Sequence, residues 1–207
     1  MLIKITGHPK STCTQRVIAI LNELGLEFEI EQPEWATQKS PEYLRDKHPF
    51  GKIPVLHEDG YQIFESRAIV RYLAAKHKPS LVPADLQKLG VLEQFLSIEY
   101  SYFDPPFSAW VFEKIIKPIF GHGQTDPVKL EELTKKVDSV LDVYEKLLVG
   151  KDYLTGEYSI ADIAHLPCLS YVINNGYDLG DRPNVKRWWT NISEKPAWKK
   201  SIASVQK

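Results

Sequence analysis

Cysteine is nearly absent. The 207-residue sequence holds two, Cys13 and Cys168, too few for a disulfide framework and without the spacing of metal ligands. The six histidines, His8, His48, His57, His77, His122 and His165, are scattered and include no His-x3-His pair, so no metal is expected. No stretch approaches the run of about 18 apolar residues that a membrane span needs. The first residues reach Lys4, Gly7 and Pro9 too early for the apolar segment of a signal peptide. An excess of one charge is lacking too. Lysine and arginine total 26 against 27 acidic residues, for a formal net charge of −1 without any basic stripe, which leaves a nucleic-acid partner unsupported. No tyrosine precedes Tyr43, and no internal repeat or low-complexity tract is visible. These absences point to a reduced cytosolic protein, long enough for one large or two small domains with a substantial core.

What is present falls into two unlike halves. Residues 1–78 alternate strand and helix signals: strand Leu2–Thr6, a helix from Ser11 to about Leu24, strand Glu27–Glu31 and a short helix near Pro41–Arg45. Strands Pro54–Glu58 and Tyr61–Phe64 follow, joined by the two-residue hairpin signal Asp59-Gly60, and then a helix from Glu65 to about Lys76. This order implies a mixed sheet covered by helices. Residues 79–87, with Pro79 and Pro83, read as a linker. From 88 to 207 strand signals vanish, and helices are expected near 88–117, 126–149, 159–174, 183–193 and 195–204. Asp104-Pro105-Pro106 should kink the first of these. Ser159-x-x-Asp162 reads as a capping box, and Trp188-Trp189 reads as core packing rather than ligand stacking.

Three short segments carry chemistry. In Gly7-His8-Pro9-Lys10-Ser11-Thr12 a hydroxyl sits at a helix start, where unpaired N–H groups and the positive end of the helix dipole converge. Ser11 is then either an ordinary N-cap or part of a cradle for an anion such as a thiolate. In Pro49-Phe50-Gly51-Lys52-Ile53-Pro54-Val55, proline marks an edge, a strand start or a cis bond, and leaves the Ile53 main chain free for a peptide-like ligand. In Phe64-Glu65-Ser66-Arg67, a carboxylate and a hydroxyl open another helix and suit the ammonium and carboxylate of an amino-acid end.

Together these segments resemble the glutathione transferases, and most closely their phi class. The motifs are Gly-His-Pro-x-Ser-Thr, Lys-Ser-Pro-Glu-Tyr-Leu, Pro-Phe-Gly-Lys-Ile-Pro and Phe-Glu-Ser-Arg-Ala-Ile. The likeness continues through Phe112-Glu113-Lys114, Tyr153-Leu154-Thr155-Gly156 and Ser159-Ile160-Ala161-Asp162-Ile163-Ala164-His165, so it spans essentially the whole chain. It implies an α/β plus all-α architecture: a thioredoxin-like glutathione-binding domain, then an all-helical domain carrying a hydrophobic substrate wall.

The resemblance also implies an enzyme that stabilises the thiolate of glutathione with Ser11 and conjugates it to small hydrophobic electrophiles. Reduction of organic hydroperoxides is a further activity it allows. Glutathione is the co-substrate, with no other cofactor. A thiol has a pKa near 8.5 and each unit of lowering takes about 1.4 kcal/mol, so one charge-assisted hydrogen bond of roughly 1.5–3 kcal/mol supplies one or two units. Ile53, beside Pro54, would pair with the cysteinyl main chain. Glu65 and Ser66 would take the γ-glutamyl end, and Gln38, Lys39 and Lys52 the glycine carboxylate. Gln38 stands where the family often has histidine, and the chain carries an extra residue within Arg45-Asp46-Lys47-His48. Phe112 and Ile116, four apart on one helix face, would form the apolar wall, with Trp35 closing the cleft from the other side.

Two rival readings stay open on the residues. One is a non-catalytic glutathione- or ligand-binding or regulatory protein of the same fold. The other is a cysteine-type thiol transferase using Cys13, which lies two positions past Ser11 and about 200° around the helix. The resemblance further implies a cytoplasmic homodimer, with Phe50 and the helix from Glu65 as its contacts on the first half.

Overall fold

The computed structural model describes residues 2–203. β1 (Ile3–Thr6) buries Ile3 and Ile5 completely and exposes Lys4, the alternation of a half-buried strand. α1 (Thr12–Glu23) crosses over to β2 (Phe28–Glu31), which pairs parallel to β1 from Ile3↔Phe28 to Thr6↔Glu31. A parallel pair requires such a crossover, and α1 supplies Val17, Ile18, Ile20 and Leu21 to the core beneath the sheet. β3 (Val55–Glu58) runs antiparallel to β1, with Thr6 opposite Val55, and β4 (Tyr61–Phe64) returns along β3 with Val55 opposite Phe64. The β3–β4 turn places Asp59 and Gly60 at φ 47° and 88°, as a tight turn matched to strand twist requires. The sheet order is β2-β1-β3-β4. Pro54 therefore precedes a central strand, not an edge, and the Ile53–Pro54 bond is cis.

α2 (Pro41–Asp46) is capped by the Ser40 hydroxyl, which accepts the Tyr43 N–H. α3 (Ser66–His77) is fixed to the sheet by the fully buried carboxylate of Glu58. It accepts from the Tyr72 hydroxyl at 2.6 Å, from Lys76 Nζ at 2.9 Å and from His77 Nε2 at 2.8 Å. Burial pushes the Glu58 carboxyl up, but these three partners outweigh it and hold it below its ordinary value.

The second part is helical: α4 (Leu86–Ile98), α5 (Asp104–Val111), α6 (Lys117–Ile119), α7 (Pro127–Leu147), α8 (Ile160–Asn174) and α9 (Pro183–Ser193). The run from α4 to α6 is unbroken but twice widens into a π turn, at Glu99–Phe103 and at Phe112–Ile116. Each widening directly precedes a proline site. Asp104 bonds back to the Glu99 carbonyl before Pro105 and Pro106, and Lys117 bonds back to the Phe112 carbonyl before Pro118. Where the sequence leads one to expect a kink at Asp104-Pro105-Pro106, the chain re-registers its hydrogen bonds so that the missing N–H groups interrupt less of the ladder.

Asp162 anchors the start of α8. It completes the capping box with Ser159 and accepts the Leu154 N–H and, at 2.8 Å, the indole N–H of the fully buried Trp188. Burial pushes its carboxyl up to about 6, with these donors pulling the other way.

The chain divides into two compact units. One runs to Val82 and takes up the chain again at Lys195, and the other is Pro83–Glu194. The division differs from the sequence-based expectation of residues 79–87 as a linker and 88–207 as one helical domain. Pro79–Leu81 forms a 3-10 turn and α4 begins at Leu86, capped by Asp85. α10 (Pro196–Ala203) packs on α1, where Asn22 Nδ2 donates to Ser201 Oγ at 2.8 Å and Trp198 is buried. Residue 204, at the end of the expected last helix, lies outside the described residues.

Glu58→Ala should destabilise the protein by about 3 kcal/mol, because removing one member of a buried charged network strands the others. The depressed carboxyl contributes fully above the unfolded-state value and loses its contribution as pH falls through the folded value. Urea denaturation of wild type and variant should show a wide gap at neutral pH that narrows in acid. A gap independent of pH contradicts this role.

Candidate active site

The register of the sheet decides where the candidate residues gather. Thr6, Glu31, Val55 and Phe64 lie side by side at one end of the four strands. From that end the chain leaves β1 for Gly7–Ser11, leaves β2 for Trp35 and the 37–39 turn, enters β3 through Ile53-Pro54 and leaves β4 for Glu65-Ser66. Ser11, Trp35, Gln38, Lys39, Lys52, Ile53, Pro54, Glu65 and Ser66 therefore share one end of the first unit.

Ser11 occupies the N-cap position of α1 with extended backbone, yet its hydroxyl caps nothing. Its N–H is engaged by the His8 carbonyl at 2.9 Å, and the first intrahelical bond runs from Gln15 N–H to the Ser11 carbonyl at 2.8 Å. Thr12, Cys13 and Thr14 thus occupy the first turn, where N–H groups have no helical acceptor. The half-buried hydroxyl and these donors form the positive end of α1. Gly7 permits the tight approach that puts the turn here, since a Cβ would lie 2.7 Å from Thr14 Oγ1. Cys13 is half-buried and unpaired in any disulfide.

The Pro49-Phe50-Gly51 turn is packed against the 37–39 turn. Gly51 has φ 60° and donates its N–H to the His48 carbonyl at 2.8 Å, and a Cβ there would run into the Gln38 carbonyl. Lys39 Nζ donates to the Phe50 carbonyl at 3.1 Å, and the Tyr43 hydroxyl donates to the Lys52 carbonyl at 2.9 Å. These bonds hold Lys39 and Lys52, both exposed, beside Ile53. No hydrogen bond among the described residues engages the Ile53 main chain. Gln38 is 6 % exposed, and its buried Nε2 has no hydrogen-bond partner among the described residues.

Glu65 adopts φ 71° just before α3, a conformation that costs a non-glycine residue and persists only where the surroundings enforce it. Its side chain is exposed, and His48 Nε2 approaches Glu65 Oε1 at 3.7 Å. Ser66 Oγ, buried, accepts from Arg16 Nη1 at 2.9 Å. Arg16 belongs to the same helix that Ser11 opens and is fully buried, so α1 fixes the hydroxyl at the start of α3. The Ser66 proton remains available to an acceptor while Arg16 polarises the oxygen.

Trp35 stacks on His8, with ring centroids 4.0 Å apart and planes at 25°, so it sits over the turn that leads to Ser11. Phe112 and Ile116 lie in the second unit, at the two ends of the same π turn, and both are exposed. That turn is pinned by Glu113, whose carboxylate accepts from Lys117 Nζ and the Asp126 N–H, each at 2.7 Å. Thr125 Oγ1 takes the Glu113 carbonyl at 3.2 Å, and His122 stacks on Phe112 at 6.4 Å.

Sequence reading missed Arg16 and His48 as parts of this site. For Arg16 a signal existed, a lone cation inside the apolar run of α1, but its partner lies 50 residues away. His48 is 2 % exposed and accepts the Phe50 N–H on Nδ1 at 3.2 Å. Burial lowers its pKa, with Glu65 opposing and Lys52 and Lys39 adding to the effect. Among the described residues no cluster of metal-ligating side chains occurs and no helix is long and apolar enough to cross a membrane.

Comparison with known proteins gives a consistent result. Residues 1–75 match the glutathione S-transferase N-terminal domain and residues 103–196 its C-terminal domain. Glutathione S-transferase F10 of Arabidopsis thaliana is 38 % identical over 204 residues, covering 94 % of each chain. The crystal structure of glutathione transferase F7 from Populus trichocarpa superposes with a TM-score of 0.89 at 35 % identity, covering 98 % of this chain and 99 % of that one. Glutathione S-transferase I from maize, in complex with an atrazine glutathione conjugate, gives a TM-score of 0.92 at 32 % identity, with 99 % and 98 % covered. A thioredoxin-like unit with the Ser11, Ile53-Pro54 and Glu65-Ser66 segments at one end of its sheet, followed by a helical unit, thus has full-length counterparts, and the chain belongs to the glutathione S-transferases, in their phi class.

Proposed function

We propose that the protein conjugates glutathione to small hydrophobic electrophiles and that Ser11 stabilises the reacting thiolate. The observation that carries this reading is the Ser11 hydroxyl itself, at a helix N-terminus and unused as a cap. An O–H donor there, with the dipole behind it, favours the thiolate over the thiol. Serine acts as a donor and is not consumed. The sulfur lone pair attacks the electrophilic carbon, a C–S bond forms, and the leaving group departs with the bonding pair or the displaced π electrons take up a proton. With an organic hydroperoxide, two glutathiones are oxidised to the disulfide as the hydroperoxide becomes an alcohol and water. Neither reaction requires a resident cofactor.

Glutathione recognition rests on the first unit. Glu65 offers a carboxylate to the γ-glutamyl ammonium and Ser66 a hydroxyl to its carboxylate. The unengaged Ile53 main chain, set by Pro54, suits the cysteinyl amide. Lys39 and Lys52 supply positive charge for the glycine carboxylate, and the unused Nε2 of buried Gln38 is a donor for the same group. By the family resemblance, Trp35, Phe112 and Ile116 are the apolar side chains assigned to the electrophile. The protein is assigned to the cytosol as a homodimer, with exposed Phe50 and the outer face of α3 as contacts.

Four outcomes follow. Ser11→Ala should lower conjugation turnover by about 10²–10³, the usual loss for one donor aimed at developing charge. Cys13→Ala should leave turnover near wild type, and loss of conjugation in that variant with Ser11→Ala unaffected would move the chemistry to the cysteine. Glu65→Ala and Ser66→Ala should each raise the glutathione dissociation constant about tenfold in isothermal titration, since each removes a charge-assisted partner. Unchanged affinity in both refutes the placement of the γ-glutamyl end. Sedimentation at micromolar concentration should give twice the chain mass, and a monomer throughout removes the dimer.

A further inference from the structure

His48 touches both halves of the region assigned to glutathione. On one side its Nδ1 accepts the Phe50 N–H at 3.2 Å, inside a turn closed by the Gly51 N–H on the His48 carbonyl at 2.8 Å. That turn carries Lys52 and Ile53, and through the Phe50 carbonyl it holds Lys39 Nζ at 3.1 Å. On the other side, Nε2 lies 3.7 Å from Glu65 Oε1, too long for a direct hydrogen bond but close enough for the polar edge of the ring to face the carboxylate, and an ion pair only when the ring is protonated. The ring leans on Phe64, with centroids 4.4 Å apart, at the last residue of β4 before Glu65. Because Nδ1 accepts, the neutral ring carries its proton on Nε2, facing the carboxylate.

We infer that His48 is the positioning residue that sets the spacing between the two ends of bound glutathione. This rests on the glutathione reading above. The Phe50–Gly51–Lys52 turn fixes where the cysteinyl and glycine portions lie, and Glu65 fixes the γ-glutamyl end. A single buried imidazole spans the two, so neither can shift without breaking a contact to the ring. Glu65 needs such a partner more than most side chains. Its carboxylate is otherwise solvent-exposed, and its backbone occupies the left-handed side of φ.

The neutral ring is the working form. Protonation at Nδ1 removes the acceptor for the Phe50 N–H and loosens the turn, while it strengthens attraction to Glu65. The charges facing the ring are Glu65 at the start of α3, Lys52 on its own turn and Lys39 on the 37–39 turn. Burial and the two lysines lower the His48 pKa, so the ring is neutral at physiological pH. Affinity for the tripeptide is then complete above that pKa and falls as pH drops through it.

Isothermal titration with S-methylglutathione tests this, since that ligand has no thiol to titrate. His48→Leu should raise its dissociation constant about tenfold, as expected for loss of the polar contacts on both sides. His48→Asn should recover part of the loss, because an asparagine carbonyl accepts the N–H two residues on but does not reach Glu65. Wild-type affinity should hold through neutral pH and fall as pH drops below about 6.5, and His48→Asn should be flat across that range. If His48→Leu does not fold, the wild-type and His48→Asn profiles decide the matter alone. Wild-type affinity in both variants, or identical pH profiles in wild type and His48→Asn, overturns the inference. Failure of the wild type to bind S-methylglutathione at any pH removes the glutathione site itself, and the inference with it.

Discussion

The arrangement depends on one constraint, the strand register that brings Thr6, Glu31, Val55 and Phe64 abreast at one end of the sheet. A one-residue slip of β1 against its neighbours would send Ile3 and Ile5 from the core to solvent, so burial of the apolar face holds its register. Because β1 is parallel to β2 and antiparallel to β3, four separate segments emerge at that end. Each brings one polar or peptide group to the proposed glutathione site. The sheet sets the spacing of those segments.

Cross-links between those segments convert proximity into geometry. Arg16 ties the helix that begins at Ser11 to the hydroxyl of Ser66. Glu58 pins the other end of that second helix through Tyr72, Lys76 and His77. Lys39 and Tyr43 tether the Phe50–Lys52 turn. Apart from the exposed Lys39 tether, each of these contacts involves a buried or half-buried polar group, and every partner lies nine or more residues away in sequence. The helical unit uses the same method on a smaller scale: Glu113, Lys117, Thr125 and Asp126 fix the π turn that presents Phe112 and Ile116.

Local signals made much of this legible in the sequence. Ser11 announced itself because a Gly-His-Pro turn before a helix leaves a hydroxyl at a dipole. Asp59-Gly60 gave the hairpin because positive φ at both positions suits that pair. The capping role of Asp162 followed from its spacing to Ser159. Long-range features were not legible. Nothing local tells that Arg16 meets Ser66, that β3 is central so that Pro54 borders no edge, or that the chain returns at Lys195 to pack α10 on α1. The π turns were hidden for a related reason. Proline predicts a broken ladder but not whether the helix bends or widens. The spare hydroxyl of Ser11 also needed coordinates, because an N-cap and an anion donor look alike in sequence.

The central claim is that the positive end of α1, through Ser11, holds glutathione as its thiolate. Spectroscopic titration of the thiolate absorbance of glutathione bound to the wild-type protein measures this directly. The account predicts a bound-thiol pKa about one to two units below that of the free thiol, the size that one charge-assisted hydrogen bond supplies. A bound thiol that titrates where free glutathione does would contradict it.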